Sequence, residues 1–353
     1  MAFSLFDHPH FSKLLQRDEI ADLFTSKAEI AAMLHFELAL AESEAELGLI
    51  PSEAAIAITS AIQTFQPTTG QLAEGIRRDG VIGPTLVYGL RQATPEPHRR
   101  HVHFGATSQD IIDTGLILRL KQILFILRGD LETVSFQLSE LASIEGHKKI
   151  MGRTRMQRAL PITFADRIAT WRGPIVQQLD ALDDLERHVL AVQFGGAVGT
   201  LDQLGERGVA VRAALAKRLD LTDPGRAWHV ERDRIADLAH WLTKISGCAG
   251  KIGQDLVLMA QNEIGEVKLT QGGTSSAMAH KRNPIQAEIL IALARYNAGH
   301  LASLHQAMVH EGERSGAAWT LEWLTLPAMI ATTGAALAIL RDSLSGLSVI
   351  QQD

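Results

Sequence analysis

Apolar residues recur at alternating steps of three and four through the middle of the chain, at Ile112, Leu116, Leu120, Ile123, Leu127, Leu131, Val134, Leu138 and Leu141. That spacing puts one continuous stripe on one side of a helix, and its average near 3.5 suits nearly parallel packing of long helices. Similar stripes run from Phe164 to Val192 and from Ile235 to Met259, then from Ile285 to Tyr296 and from Trp319 to Leu344. Pro284 opens the fourth, where its missing N–H is harmless. Pro174 and Pro327 fall inside two stripes and predict kinks rather than ends. No period-two alternation of comparable length is present, so the expected fold is all-α, a bundle of five long helices.

The first hundred residues differ in texture. They predict shorter helices over 27–47 and 53–65, joined by loops rich in Gly, Pro and Thr, and a basic crossing segment around Pro95 and Pro97. The expected organisation is a smaller N-terminal helical domain over 1–108, the long-helix bundle over 109–346, and a tail over 347–353. Five long helices offer few layers for so much apolar surface, so bundles from several chains are expected to associate.

Composition narrows the function. The formal net charge is −6, from 34 Lys+Arg and 40 Asp+Glu, which gives no reason to expect a nucleic-acid partner. The single cysteine, Cys248, excludes an internal disulfide and a Cys-based zinc cluster. The first residues lack the charged-then-apolar order of a secretion signal. Residues 323–340 carry no charge, but Thr325, Pro327, Thr332, Thr333 and Gly334 dilute them, and a buried bundle helix is expected rather than a membrane span. A cytoplasmic protein with neither nucleic-acid nor membrane partners is the resulting expectation.

Four polar islands interrupt the helices. In His103-Phe104-Gly105-Ala106-Thr107-Ser108-Gln109-Asp110, either hydroxyl residue serves to cap a helix starting near Ile111, and such a helix start also suits a carboxylate. Gly152-Arg153-Thr154-Arg155-Met156-Gln157-Arg158 concentrates guanidinium groups, which are either a solvated face or a site for a multiply anionic ligand. The stretch from Gly272 to Pro284 reads as a mobile loop in which a hydroxyl, an ammonium and backbone N–H groups can surround one developing negative charge. Glu311-Gly312-Glu313-Arg314-Ser315-Gly316 reads as a turn, with Arg314 the residue of longest reach. His98, His101 and His103 lack a carboxylate or Cys partner in sequence, so no metal is expected. Gly195-Gly196-Ala197-Val198-Gly199-Thr200 follows no strand and has the wrong spacing for a dinucleotide loop, so no cofactor is expected either.

Taken together, Thr107-Ser108-x-Asp110, Gly152-Arg153-Thr154 and Ser275-Ser276-x-Met278-x-His280-Lys281-Arg282-Asn283-Pro284 resemble the fumarase/aspartase superfamily over nearly the whole chain. Ala279 stands where Pro is usual and Thr274 where Gly is common. Within the superfamily the likeness is greatest to the cycloisomerases that close 3-substituted muconates, in the catabolism of protocatechuate-like aromatics. The resemblance implies an intramolecular lyase in which one carboxylate adds to a double bond and an enediolate forms. It makes Ser275 the proton-transferring residue, with Ser276 as substitute, and implies that Lys281, Asn283, Thr107 and Ser108 hold the enediolate. His103 becomes a second acid–base or binding group, while Arg155 and Arg314 bind the remaining carboxylates. It also implies a homotetramer in which three chains build each site; the small C-terminal helical domain usual in relatives is expected to be absent.

Arg155 departs from the pattern: elimination lyases of the superfamily commonly have His there, and cycloisomerases often Trp. Two other readings stand beside the cycloisomerase. One is an elimination lyase releasing fumarate, of the adenylosuccinate lyase kind, against which the missing His counts. The other is a non-catalytic paralogue, as lens crystallins are to argininosuccinate lyase, which the intact 275–284 loop opposes.

Overall fold

The computed structural model describes residues 4–15, 17–269, 273–274, 277–278 and 281–351. After two short helical segments at Ser12–Leu15 and Asp18–Asp22, four helices form the N-terminal part: α1 (Ser26–Glu46), α2 (Ser52–Thr64), α3 (Thr69–Asp79) and α4 (Gly83–Ala93). The bundle consists of α5 (Ser108–Glu145), α6 (Phe164–Asp180), α7 (Leu182–Val189), α9 (Asp233–Met259), α10 (Ile285–Gln306) and α11 (Gly316–Ser345), with α8 (Gly208–Leu219) intervening. The fold is all-α, as the stripes require.

Four of the five stripes face inward. The fourth does not: Ile285 and Tyr296 are exposed, and α10, apolar on more than one side, buries Ala287, Leu290 and Leu293 instead. Ile123, Leu127, Leu131, Val134 and Leu138 of α5 are buried with Ile168, Trp171 and Ile175 of α6 and Leu238, Leu242, Ile245 and Ile252 of α9. The second stripe is divided: α6 ends at Asp180 and α7 begins at Leu182. At the junction the Ala181 N–H donates to the Gln177 and Leu179 carbonyls. Pro174 and Pro327 lie inside helices, as expected. A second apolar core joins α1–α4 to the start of α5 and also takes in Val192, Phe194, Val211, Leu215 and Leu219.

Residues 149–163 form a hairpin, β1 (Lys149–Thr154) and β2 (Gln157–Thr163), where no strand was anticipated. Most of its side chains are exposed, so it has no apolar face to betray it. The other strands are short: β3 (Val267–Leu269) pairs with β6 (Leu347–Val349) in the expected tail, and β4 (Gly273–Thr274) pairs with β5 (Arg282–Asn283).

Polar contacts between helices establish their direction. Asn297 of α10 donates to Ser246 Oγ of α9 at 3.2 Å and to Thr333 Oγ1 of α11 at 3.0 Å. Ser343 of α11 donates to Gln286 at the start of α10 at 3.0 Å, so α10 runs antiparallel to α11. Trp319 Nε1 donates to Asp113 of α5 at 3.1 Å, and Gln137 Nε2 donates to Ser345 Oγ at 2.9 Å, so α11 runs parallel to α5. Helices α9 and α10 approach closely because of glycine: a Cβ on Gly250 would lie 2.4 Å from Ala294 Cβ, and one on Gly253 2.6 Å from the Ala287 carbonyl oxygen. Helix α11 is long and apolar enough to cross a membrane, but 67% of its most apolar window is buried inside the protein, as befits a core helix.

One buried group is out of place energetically. Glu44 of α1 is fully buried, and neither carboxylate oxygen has a hydrogen-bond partner. Burial, reinforced by the nearby Glu37 charge, pushes its pKa up to about 9. The folded state therefore holds a proton that the unfolded chain has released above about pH 4.5, and stability falls as pH rises from there towards 9. Glu44→Gln is expected to be more stable than the wild type, by an amount growing on the order of 2–4 kcal/mol between pH 5 and 8. Urea denaturation of both proteins across that range checks this; a stability difference independent of pH contradicts it.

Candidate active site

Helix α5 begins at Ser108, three residues earlier than the apolar stripe suggested. Thr107 is its cap residue, and its N–H donates to Asp110 Oδ2 at 2.9 Å. Asp110 is fully buried and also accepts the Gly195 N–H at 3.0 Å, the Gly196 N–H at 2.9 Å and a hydrogen bond from His229 Nε2 at 2.7 Å. The glycine run at 195–199 is thus a brace for the helix start. Ser108 packs on α4 at Gly83, where a Cβ would approach Ser108 Cβ to 2.9 Å.

The turn before α11 reaches the same place. Arg314 Nε donates to Gln109 Oε1 at 3.1 Å and Nη2 to the Ala197 carbonyl at 3.1 Å, while the guanidinium remains on the surface. His103 stands four residues before Thr107 in a left-handed conformation (φ 61°), its Nδ1 hydrogen-bonded to the buried Glu37 carboxylate. Beneath this group, Arg232 is clamped between Asp113, at 2.7 Å, and Glu322. Burial opposes the Arg232 charge, but the two carboxylates outweigh it and raise its pKa. Thr107, Ser108, His103 and Arg314 therefore gather at one end of the bundle, around a helix start offering positive potential.

The other candidates lie elsewhere. Arg155 and Met156 form the exposed tip of the β1–β2 hairpin, both with left-handed φ (49° and 67°), the pattern of the primed hairpin turns. Its base is tied down by Glu266, which accepts the Met151 N–H at 3.1 Å and Arg153 Nη1 at 2.7 Å. Lys281 and Asn283 immediately precede α10, whose start lies beside Ser343 at the far end of α11. Between Trp319, beside Asp113, and Ser343 run 24 residues of helix, about 36 Å at 1.5 Å per residue. One chain thus brings Thr107, Ser108, His103 and Arg314 together and holds Lys281 and Asn283 far from them. Ser275 and Ser276 lie outside the described residues.

Reasoning from sequence missed Glu37, Asp113, His229, Arg232 and Glu322. Among the described residues no group of three or more His, Cys, Asp or Glu side chains is arranged to hold a metal ion. His98 and His101 lie in a short 3-10 turn, and His103 is directed to Glu37.

A family described as lyase matches residues 13–296, and the chain belongs to it, within the fumarase/aspartase superfamily that its loops resemble. Its relatives include 3-carboxy-cis,cis-muconate cycloisomerase of Acinetobacter baylyi, 37% identical over 96% of this chain and 77% of that protein. An N-acetyl-S-(2-succino)cysteine lyase of Enterococcus italicus is 35% identical over 94% of this chain and 73% of its own length. Among solved structures, 3-carboxy-cis,cis-muconate lactonizing enzyme from Pseudomonas putida superposes with a TM-score of 0.91 at 37% identity, covering 97% of this chain and 78% of that one.

Proposed function

We propose that the chain is a cycloisomerase that closes 3-carboxy-cis,cis-muconate, or a muconate bearing another anionic 3-substituent such as a sulfonate, to a muconolactone. An oxygen of one substrate carboxylate bonds to the near carbon of the more distant double bond, closing a five-membered ring. The displaced π pair moves to the carbon beside a second carboxylate, giving an enediolate, and that carbon then takes up a proton. Ser275 delivers the proton, with Ser276 as its substitute, and Lys281, Asn283, Thr107 and Ser108 share the enediolate charge. Arg155 and Arg314 hold the remaining anionic groups.

The observation that carries this reading is Arg155 at the exposed hairpin tip. A guanidinium is always charged and cannot accept a proton, so it suits an anionic substituent and not the acid–base role of the histidine usual in eliminating relatives. Lactonisation starts from an ionised carboxylate and needs no base to generate its nucleophile. The separation of the two groups of candidate residues supports a site assembled between chains; each site takes residues from three chains of a homotetramer, which belongs to the cytoplasm.

Diene ultraviolet absorbance tests the reading with 3-carboxymuconate and 3-sulfomuconate side by side. Loss of absorbance with either substrate is expected. Turnover of N-acetyl-S-(2-succino)cysteine or adenylosuccinate to fumarate, with neither muconate consumed, would replace this reading with the elimination lyase. Arg155→Trp is expected to shift preference towards the carboxylated substrate; an unchanged ratio of kcat/KM values removes Arg155 from substituent recognition.

A further inference from the structure

The Glu37–His103 contact joins residues 66 positions apart and almost wholly withdrawn from solvent, with side-chain exposures of 1% and 9%. His103 adopts a φ of 61°, a conformation that L-residues with side chains avoid at roughly 1–2 kcal/mol. It stands on the same short loop as Thr107 and Ser108. Seven residues along the same helix, Glu44 is driven towards its neutral form by burial and by Glu37. A carboxylate on one ring nitrogen of a histidine selects which nitrogen keeps its hydrogen and frees the other for chemistry.

We propose that Glu37 is a positioning residue: it accepts the Nδ1–H of His103 and holds the ring in that tautomer, leaving Nε2 as the nitrogen free to take up and release a proton within the site. The proton exchange rests on the cycloisomerase reading; the tautomer does not.

Protein labelled with 15N-histidine, with the His103 signals assigned by their loss in His103→Asn, reports the tautomer directly. The wild type is expected to show Nδ1 protonated and, at high pH, Nε2 bare. A wild-type ring protonated on Nε2 alone overturns the proposal without any Glu37 variant. Glu37→Met removes the acceptor, and the Nε2–H form should then appear. With 3-carboxy-cis,cis-muconate as substrate, kcat of this variant should fall roughly 100-fold, with KM held within about twofold. Glu37→Gln, which keeps an acceptor oxygen, should recover much of that loss. A Glu37→Met protein with the wild-type tautomer, or with a changed tautomer and unchanged kcat, overturns the assignment. A wild type inert towards every muconate would count against the cycloisomerase reading alone, because the tautomer measurement still decides the role of Glu37.

Discussion

Lys281→Met and Arg314→Met should each be nearly inactive, yet the two variants unfolded together and refolded as a mixture should regain activity that neither has alone. Removing Lys281 takes a charged partner from the developing oxyanion and lowers kcat about 10²–10³-fold, while removing Arg314 leaves a substrate carboxylate without its guanidinium and lowers kcat/KM. Lys281 precedes α10 at the end of the bundle opposite the helix start that Arg314 reaches. If different chains supply the two residues to one site, random mixing leaves about a quarter of the sites with both native side chains. If a single chain supplied both, every site in the mixture would lack one or the other. Activity equal to the average of the separate variants would therefore refute the shared site.

The second large effect concerns stability. Arg232→Met is expected to destabilise the protein by about 3–5 kcal/mol, because it strands two buried carboxylates that now share one cation. Arg232, Asp113 and Glu322 are 2%, 1% and 3% exposed, so water offers little relief. Trp319 Nε1 and Gln109 Nε2 also donate to Asp113, at 3.1 Å each, but neutral donors cannot replace the guanidinium charge. Equilibrium urea denaturation at neutral pH gives the number, and a loss below about 1 kcal/mol would mean that the carboxylates find another counter-charge or take up protons. Helices α5 and α11 meet at this cluster, so the loss should also loosen the helix start that carries Thr107 and Ser108.

The sequence made the helices legible where one face is continuously apolar. The stripe from Ile112 to Leu141 anticipated most of α5, and Ile235 to Met259 anticipated α9 almost to the residue. The hairpin escaped because its side chains are mostly exposed and its pairing is carried by backbone groups, which no side-chain pattern records. Of the candidate residues, those preceding a long helix could be recognised by their clustering. Asp113, Arg232 and Glu322 could not, because the opposite charges they pair with lie 90 or more positions away. A signal was nevertheless present: Glu37 and Glu44 recur at a spacing of seven on a face otherwise occupied by Met33, Phe36 and Leu40. A charged residue on a buried stripe must have a partner or give up its charge, and here Glu37 does the first and Glu44 the second.

Asn297 has a consequence beyond its own hydrogen bonds. By locking α10 lengthwise against α9 and α11, it turns the bundle into a measuring rod of constant gauge. If sites are shared between chains as proposed, reaction centres at opposite poles of such a rod stand at a spacing dictated by helix length and not by the loops. Excising one heptad from every long helix would draw neighbouring centres about 10 Å closer while leaving each intact.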